Sequence, residues 1–247
     1  MAGLLAPLTA PAASANPHPP PGTLWRVVHT LCLNDQRFTG RPAPCLEVNR
    51  AGGFAVVPDI ERATQVLLVP LTRLAGIESP ALLKAGGPNY WQAAWTARRY
   101  VSERSGQAIP RDKFAMAINS PYSRSQNQLH IHVDCVSPGV RRSLAGLQDH
   151  IGPAWTLLPV RLEGLQFRAR RLSGEDLGSR DPFKLLARGD AFARAHMEAE
   201  TLVVVGARFL DGSPGFYLLS GRLNPAAGDP AFGEELLDHS CTVLNRE

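Results

Sequence analysis

An α+β fold with a mostly antiparallel sheet and packed helices is predicted for this chain, and three features predict it. Strand-length apolar runs recur along the 247 residues and outnumber the helical stretches. The helical stretches fall in segregated blocks instead of alternating one for one with strands. Several neighbouring strands are joined by short turns rich in Gly, Asn, Ser or Pro.

In order, "TLWRVVHTLCLN" (residues 23–34) spaces Leu24, Val27, Val28 and Leu31 as one helix face. "CLEVNRAGGFAVVPD" reads as two short strands about a Gly-Gly turn, and "TQVLLVPLTRL" as a nearly all-apolar, central strand. Residues 78–106 are helix-rich, with Trp91 and Trp95 on one face as core residues and Gly106 as the stop. "KFAMAINS" and "NQLHIHVDCV" are strands joined by the polar loop "SPYSRSQ". "SPGVRRSLAGLQDHIG" reads as a helix, "PVRLEGLQFRARRL" as a strand and "DPFKLLARGDAFARAHM" as a helix. "ETLVVVGARF" and "GFYLLSGRL" form a hairpin about "LDGSPG", and "FGEELLDHSCTVL" is a closing helix. Residues 23–152 and 153–247 show a loosely similar order of elements, which suggests a degenerate duplication packed as one globular unit.

At 44% hydrophobic and 19% charged, the chain is globular and not disordered. Its pI near 9.1 comes almost wholly from arginine, which suits bidentate phosphate contacts. No basic run is dense enough for nucleic acid, and no apolar run reaches the roughly 20 residues of a membrane-spanning helix. Residues 1–22 read as a signal-like remnant ending at Ala13-Ser14-Ala15, followed by a Pro-rich linker; a plain tail is the alternative. The four cysteines are spaced too widely for a CxxC site and allow three pairings. Cys32 and Cys45 flank a short polar loop and are natural partners, which leaves Cys135 with Cys241; four buried thiols are the alternative.

The chemistry concentrates in "HIHVD". Alternation along a strand puts His130, His132 and Asp134 on one face and Leu129, Ile131 and Val133 on the other, toward the core. A metal pair, two structural histidines and a nucleophile all compete for this pattern. A metal needs further ligands, and no second His-x-His or His-x-x-x-His occurs. Burying two imidazoles for packing alone costs hydrogen bonds. A neutral imidazole, by contrast, attacks phosphorus well and divides one hard step into two.

Asn119, Gln126, His130 and His132 carry the spacing of the histidine-triad nucleotide hydrolases and transferases, which this stretch resembles. The resemblance implies a histidine-triad-like fold, with His132 as nucleophile, His130 supporting it, and Asn119 and Gln126 on phosphate. Asp134 stands where most members have a third histidine, and its role there is open. "GFAVVPDIERATQVLLVPL" resembles the family's strand–turn–strand, making Asp59 the ribose ligand, with Gln65 beside the nucleoside. A closer resemblance, on "RPAPC", "TQVLLVPLTRLAGIESP", "FAMAINSPYSRSQNQLHIHVDC", the His-Met at 196–197 and "DHSC", is to the bacterial CDP-diacylglycerol pyrophosphatase family. That family splits CDP-diacylglycerol into CMP and phosphatidate at the periplasmic side of the inner membrane. The resemblance implies a cytidylyl-histidine intermediate, Arg124 and the amides of residues 123–126 on the β-phosphate, and neither cofactor nor metal. A homodimer is possible, although a duplicated chain can supply both halves itself. The alternatives are a CMP transferase, an enzyme acting on other CDP-alcohols, a non-catalytic nucleotide-binding module and a two-histidine phosphodiesterase.

Overall fold

A computed structural model describes residues 20–245; most of the signal-like stretch, residues 1–19, lies outside them. Ten strands share one sheet: β1 (Glu47–Asn49), β2 (Phe54–Pro58), β3 (Val66–Pro70), β4 (Phe114–Ile118), β5 (Ile131–Val136), β6 (Thr156–Leu157), β7 (Phe167–Ser173), β8 (Glu200–Arg208), β9 (Pro214–Arg222) and β10 (Leu237–Asp238). Nine run in the order β1-β2-β3-β5-β4-β8-β9-β7-β6, and β10 lies beside β5. All pairings are antiparallel, as expected for this α+β chain.

The order β2-β3-β5-β4 recurs as β6-β7-β9-β8, and the two sets meet at the β4–β8 pair. Helix α3 (Tyr90–Ser105) spans β3 to β4; α5 (Pro182–Gly189) and α6 (Ala191–Ala195) span β7 to β8. These helices cover one sheet face, where Trp91, Trp95, Phe183 and Leu186 pack on Ile131, Val133, Val204 and Leu218. Asn89 caps α3 through the Gln92 amide, and Gly106 ends it at a φ of 69°, a conformation glycine adopts without strain. The other face is covered at one end by α1 (Thr23–Arg26), a π-helical stretch (Val27–Cys32) and α2 (Leu33–Thr39), over Val48, Ala55, Val57 and Val69. At the other end lies α4 (Pro138–Gly146), over Val203, Val205 and Leu219. Disulfides join Cys32 to Cys45 and Cys135 to Cys241. Among the described residues no helix is long and apolar enough to cross a membrane.

Three elements depart from the sequence expectation. The strand expected over residues 159–172 begins only at Phe167, because Glu163 and Gly164 both take positive φ and turn Leu162 back onto Leu165. A glutamate rarely marks such a turn, so the sequence hides it. The helix over residues 181–197 breaks at Asp190, whose extended backbone and carboxylate cap the second piece at Ala193. The closing helix is absent: residues 233–244 form a turn, β10 and a second turn. Asp238 accepts from the backbone of Ser240 and Val243 and from the Thr242 hydroxyl, a local arrangement that competes with helix.

Candidate active site

β5 runs between β3 and β4, so its two faces are set by its neighbours. Leu129, Ile131 and Val133 enter the core under α3, as their alternation predicts. His130, His132 and Asp134 share the opposite face. Opposite them on β4 stand Ala117, paired with His132, and Ala115, paired with Asp134. The alternating alanines of "FAMAI" thus leave side-chain room beside the imidazoles. The row is not open, however: His130 and His132 are each 6% exposed, and Asp134 is fully buried. An arm formed by residues 229–241 and the start of α1 cover it.

His130 Nδ1 lies 2.7 Å from the Gln128 carbonyl, which requires Nδ1–H there and leaves Nε2 as acceptor. Its ring sits 4.8 Å from that of His132, edge to face. Burial, followed by the neighbouring His132, lowers the His130 pKa to about 4. Burial also lowers that of His132, against the pull of Glu234 and Asp59. Both rings are therefore uncharged at neutral pH. Neither ring nitrogen of His132 is in a hydrogen bond. Glu234 Oε1 lies 3.3 Å from His132 Nδ1 but off the hydrogen-bond direction, so that contact is electrostatic. Burial pushes the Glu234 carboxyl up, but His132, His239 and the Asn119 amide outweigh it, and the net direction is down.

Asp134 lies at the seam where β10 takes over from β3 along β5. Val66 of β3 faces Val133, and Asp238 of β10 faces Cys135. The carboxylate accepts from the Thr64 hydroxyl at 2.7 Å and from the Cys135 amide at 2.9 Å, and lies 3.0 Å from His239 Nδ1. Burial raises its pKa. Among the described residues, the group of ligand-type atoms that comes within coordinating distance is Asp134 with Cys135 and Cys241, and both sulfurs are already bonded to each other.

The remaining expected residues gather around this row with defined partners. Asn119 donates to Glu234 Oε2 at 3.2 Å and accepts from the Glu234 amide at 3.0 Å. Gln65 donates to Asp59 at 2.8 Å, and the Asp59 loop is tied to α3 by Arg104. Gln126 accepts from the Leu24 amide and donates to the Pro20 carbonyl. Arg124 makes two 2.7 Å hydrogen bonds to Glu78 over Gly76, where any Cβ would strike its guanidinium, so its charge is matched within the protein. The amides of Ser123 and Arg124 close a turn on Ser120.

The sequence alone does not single out Glu234, His239 or Thr64 as site residues. His239 had a signal in "DHSC". Glu234 had none, because it sat inside a pattern that reads as an amphipathic helix.

These features define an α+β protein with a histidine-centred polar site buried on the second face of its sheet. A family model described as CDP-diacylglycerol pyrophosphatase matches residues 19–245, nearly the whole chain. The chain belongs to the CDP-diacylglycerol pyrophosphatase family and is a hydrolase.

Proposed function

We propose that this protein hydrolyses the anhydride of CDP-diacylglycerol through a cytidylyl-His132 intermediate. The observation that carries this is the state of His132: buried, uncharged and with no hydrogen bond on either ring nitrogen. A lone pair in that condition is a nucleophile. A nitrogen–phosphorus bond forms at the phosphorus bearing cytidine while its bond to the bridging oxygen breaks and phosphatidate leaves. Water then adds to the same phosphorus, the nitrogen–phosphorus bond breaks, CMP leaves and a proton passes to solvent. Phosphatidate is a stable anion, so stabilising charge matters more than protonating the leaving group.

His130 supports the nucleophile from the adjacent pleat. Asn119 Nδ2 carries two hydrogens and can serve Glu234 and a phosphate oxygen together. Gln126 and Arg124 border the phosphate region, Asp134 braces it from behind, and Asp59 and Gln65 face the nucleoside. The repeated strand order supports a duplicated histidine-triad-like fold in which one half has kept the chemistry. The two disulfides fit an oxidising compartment, and the lipid substrate calls for a membrane surface; we place the protein at the periplasmic side of the inner membrane.

The test is alkaline quenching, which preserves a nitrogen–phosphorus bond, of a single turnover with cytosine-labelled substrate. Label should remain on wild-type protein, and His132→Ala should lose both label and CMP release while still binding CMP. A His132→Ala enzyme with normal turnover would sink the covalent mechanism. Added glycerol distinguishes hydrolysis from transfer to another acceptor.

A further inference from the structure

We propose that Glu234 is the positioning residue of His132, that Asn119 acts partly by clamping Glu234, and that an Asp134–His239 pair closes the same network from the far side. This rests on His132 being the nucleophile.

The contacts form one chain. Glu234 Oε1 lies 3.3 Å from His132 Nδ1 and 3.6 Å from His239 Nε2. His239 Nδ1 lies 3.0 Å from Asp134 Oδ2, so Asp134 orients the His239 ring and turns its other nitrogen to the Glu234 side. Asn119 grips Glu234 at two points, the backbone amide and Oε2, which sets both where the residue sits and where its carboxylate aims.

The segment that brings Glu234 here is built into the sheet. Gly233 packs so closely on β8 that a Cβ would lie 2.4 Å from Thr201 Oγ1 and 2.9 Å from Val203 Cγ2. The Ser120 amide and the Ser123 hydroxyl bond to the Ala231 carbonyl, and the Ser120 hydroxyl to that of Pro230. β10 pairs with β5, and Cys241 is bonded to Cys135. The loop carrying Asn119 and Ser120, which leads from β4 toward β5, therefore anchors the Glu234 side of the site.

The chemistry follows from which nitrogen the carboxylate faces. A carboxylate at Nδ1 favours the Nδ1–H tautomer and leaves the lone pair on Nε2, which becomes the attacking atom. Bonding Nε2 to phosphorus makes the ring cationic while Nδ1 keeps its proton. An anion already in place is worth most when that charge develops. The charged or titratable groups facing this pair are His130 and Asp134 along β5, His239 after β10 and Asp59 after β2, with Arg124 acting on His130.

Three proteins test the proposal: Glu234→Gln, Glu234→Asp and His132→Ala. Glu234→Gln should lower kcat by about 10- to 100-fold with KM little changed, as for loss of a group that orients a reacting ligand. Without the neighbouring anion His132 protonates less readily, so the acid limb of the kcat/KM profile should move to lower pH. Glu234→Asp keeps the charge and should return the limb toward its wild-type position. A purely structural role would leave that limb in place. Wild-type kcat and an unmoved limb in Glu234→Gln, with His132→Ala inactive, would overturn this proposal alone; an active His132→Ala would overturn the nucleophile assignment instead. Nitrogen-15 histidine NMR of the wild-type protein provides a check that does not depend on variant folding. The Nδ1–H form of His132 is expected, and the Nε2–H form refutes the proposal.

Discussion

Burial sets the behaviour of His130 and His132 more than any single contact does. The usual imidazole pKa of 6.5 falls to about 4 in folded His130. The unfolded chain therefore takes up this proton first, and stability is lost as pH falls from 6.5 toward 4. For this ring alone the loss at the acid end is roughly 3 kcal/mol. Asp134 works in the opposite sense: burial raises its folded pKa, so its protonation steadies the fold at low pH. Thermal denaturation across this range should show the melting temperature falling toward pH 4, and His130→Gln should flatten that fall. A wild-type melting temperature independent of pH would mean the ring is not held neutral. At this scale the sequence was most legible for residues close together in the chain. Asn119, Gln126, His130 and His132 sit within one loop and strand, so their spacing survives as a pattern. Glu234 reaches Asn119 from 115 residues away, and a partner brought in only by folding leaves no spacing to read.

Among the elements, the arm over residues 229–241 shows why sequence and structure part. Leu236 and Leu237 carry an apolar pair that fits a helix face. The vacancy beside β5 beyond the end of β3 offers that pair an edge to join, and Asp238 offers the backbone its alternative bonds. Edge pairing wins, and this tertiary choice cannot be seen in local periodicity. By contrast, α3, the β8–β9 hairpin and β5 follow their patterns, because each has a long run of one period and a clear stop. The arm's last anchor is the Cys135–Cys241 bond, which closes a loop of sequence separation 106, against 13 for Cys32–Cys45. Chain entropy gives about 4.7 kcal/mol for closing the longer kind of loop and about 3 kcal/mol for the shorter. Cys241→Ser should therefore lower the denaturant midpoint more than Cys45→Ser. It should also reduce CMP release from native protein, because Glu234 and His239 lose their tether. Equal losses of turnover in the two variants would show that the bond serves stability alone.

For the whole molecule, the candidate histidine row lies in one half of a repeated strand order. Two sets of four strands with the same order meet at β4–β8, yet the rows that cross this seam end in different chemistry. His132 lies in line with Ala117, Val203 and Leu219, and Asp134 with Ala115, Val205 and Tyr217. Where the first half presents an imidazole and a carboxylate, the second presents leucine and tyrosine packed under α4. With different side chains at these positions, the two halves share only a loosely similar order of elements for sequence reading to find. The second half nevertheless contributes twice: it pairs the β4 edge, and it continues into the arm that carries Glu234 and His239. A fragment ending at residue 152 would bare the whole β4 edge, an invitation to pair with another chain. Size-exclusion chromatography should show that fragment as a dimer or larger aggregate, and CMP release should be absent from either form. Supplying residues 153–247 by co-expression should restore activity only where the two pieces co-purify. A soluble, active fragment of the first half would show that neither the seam nor the arm is needed, and the single-site account would fail with it.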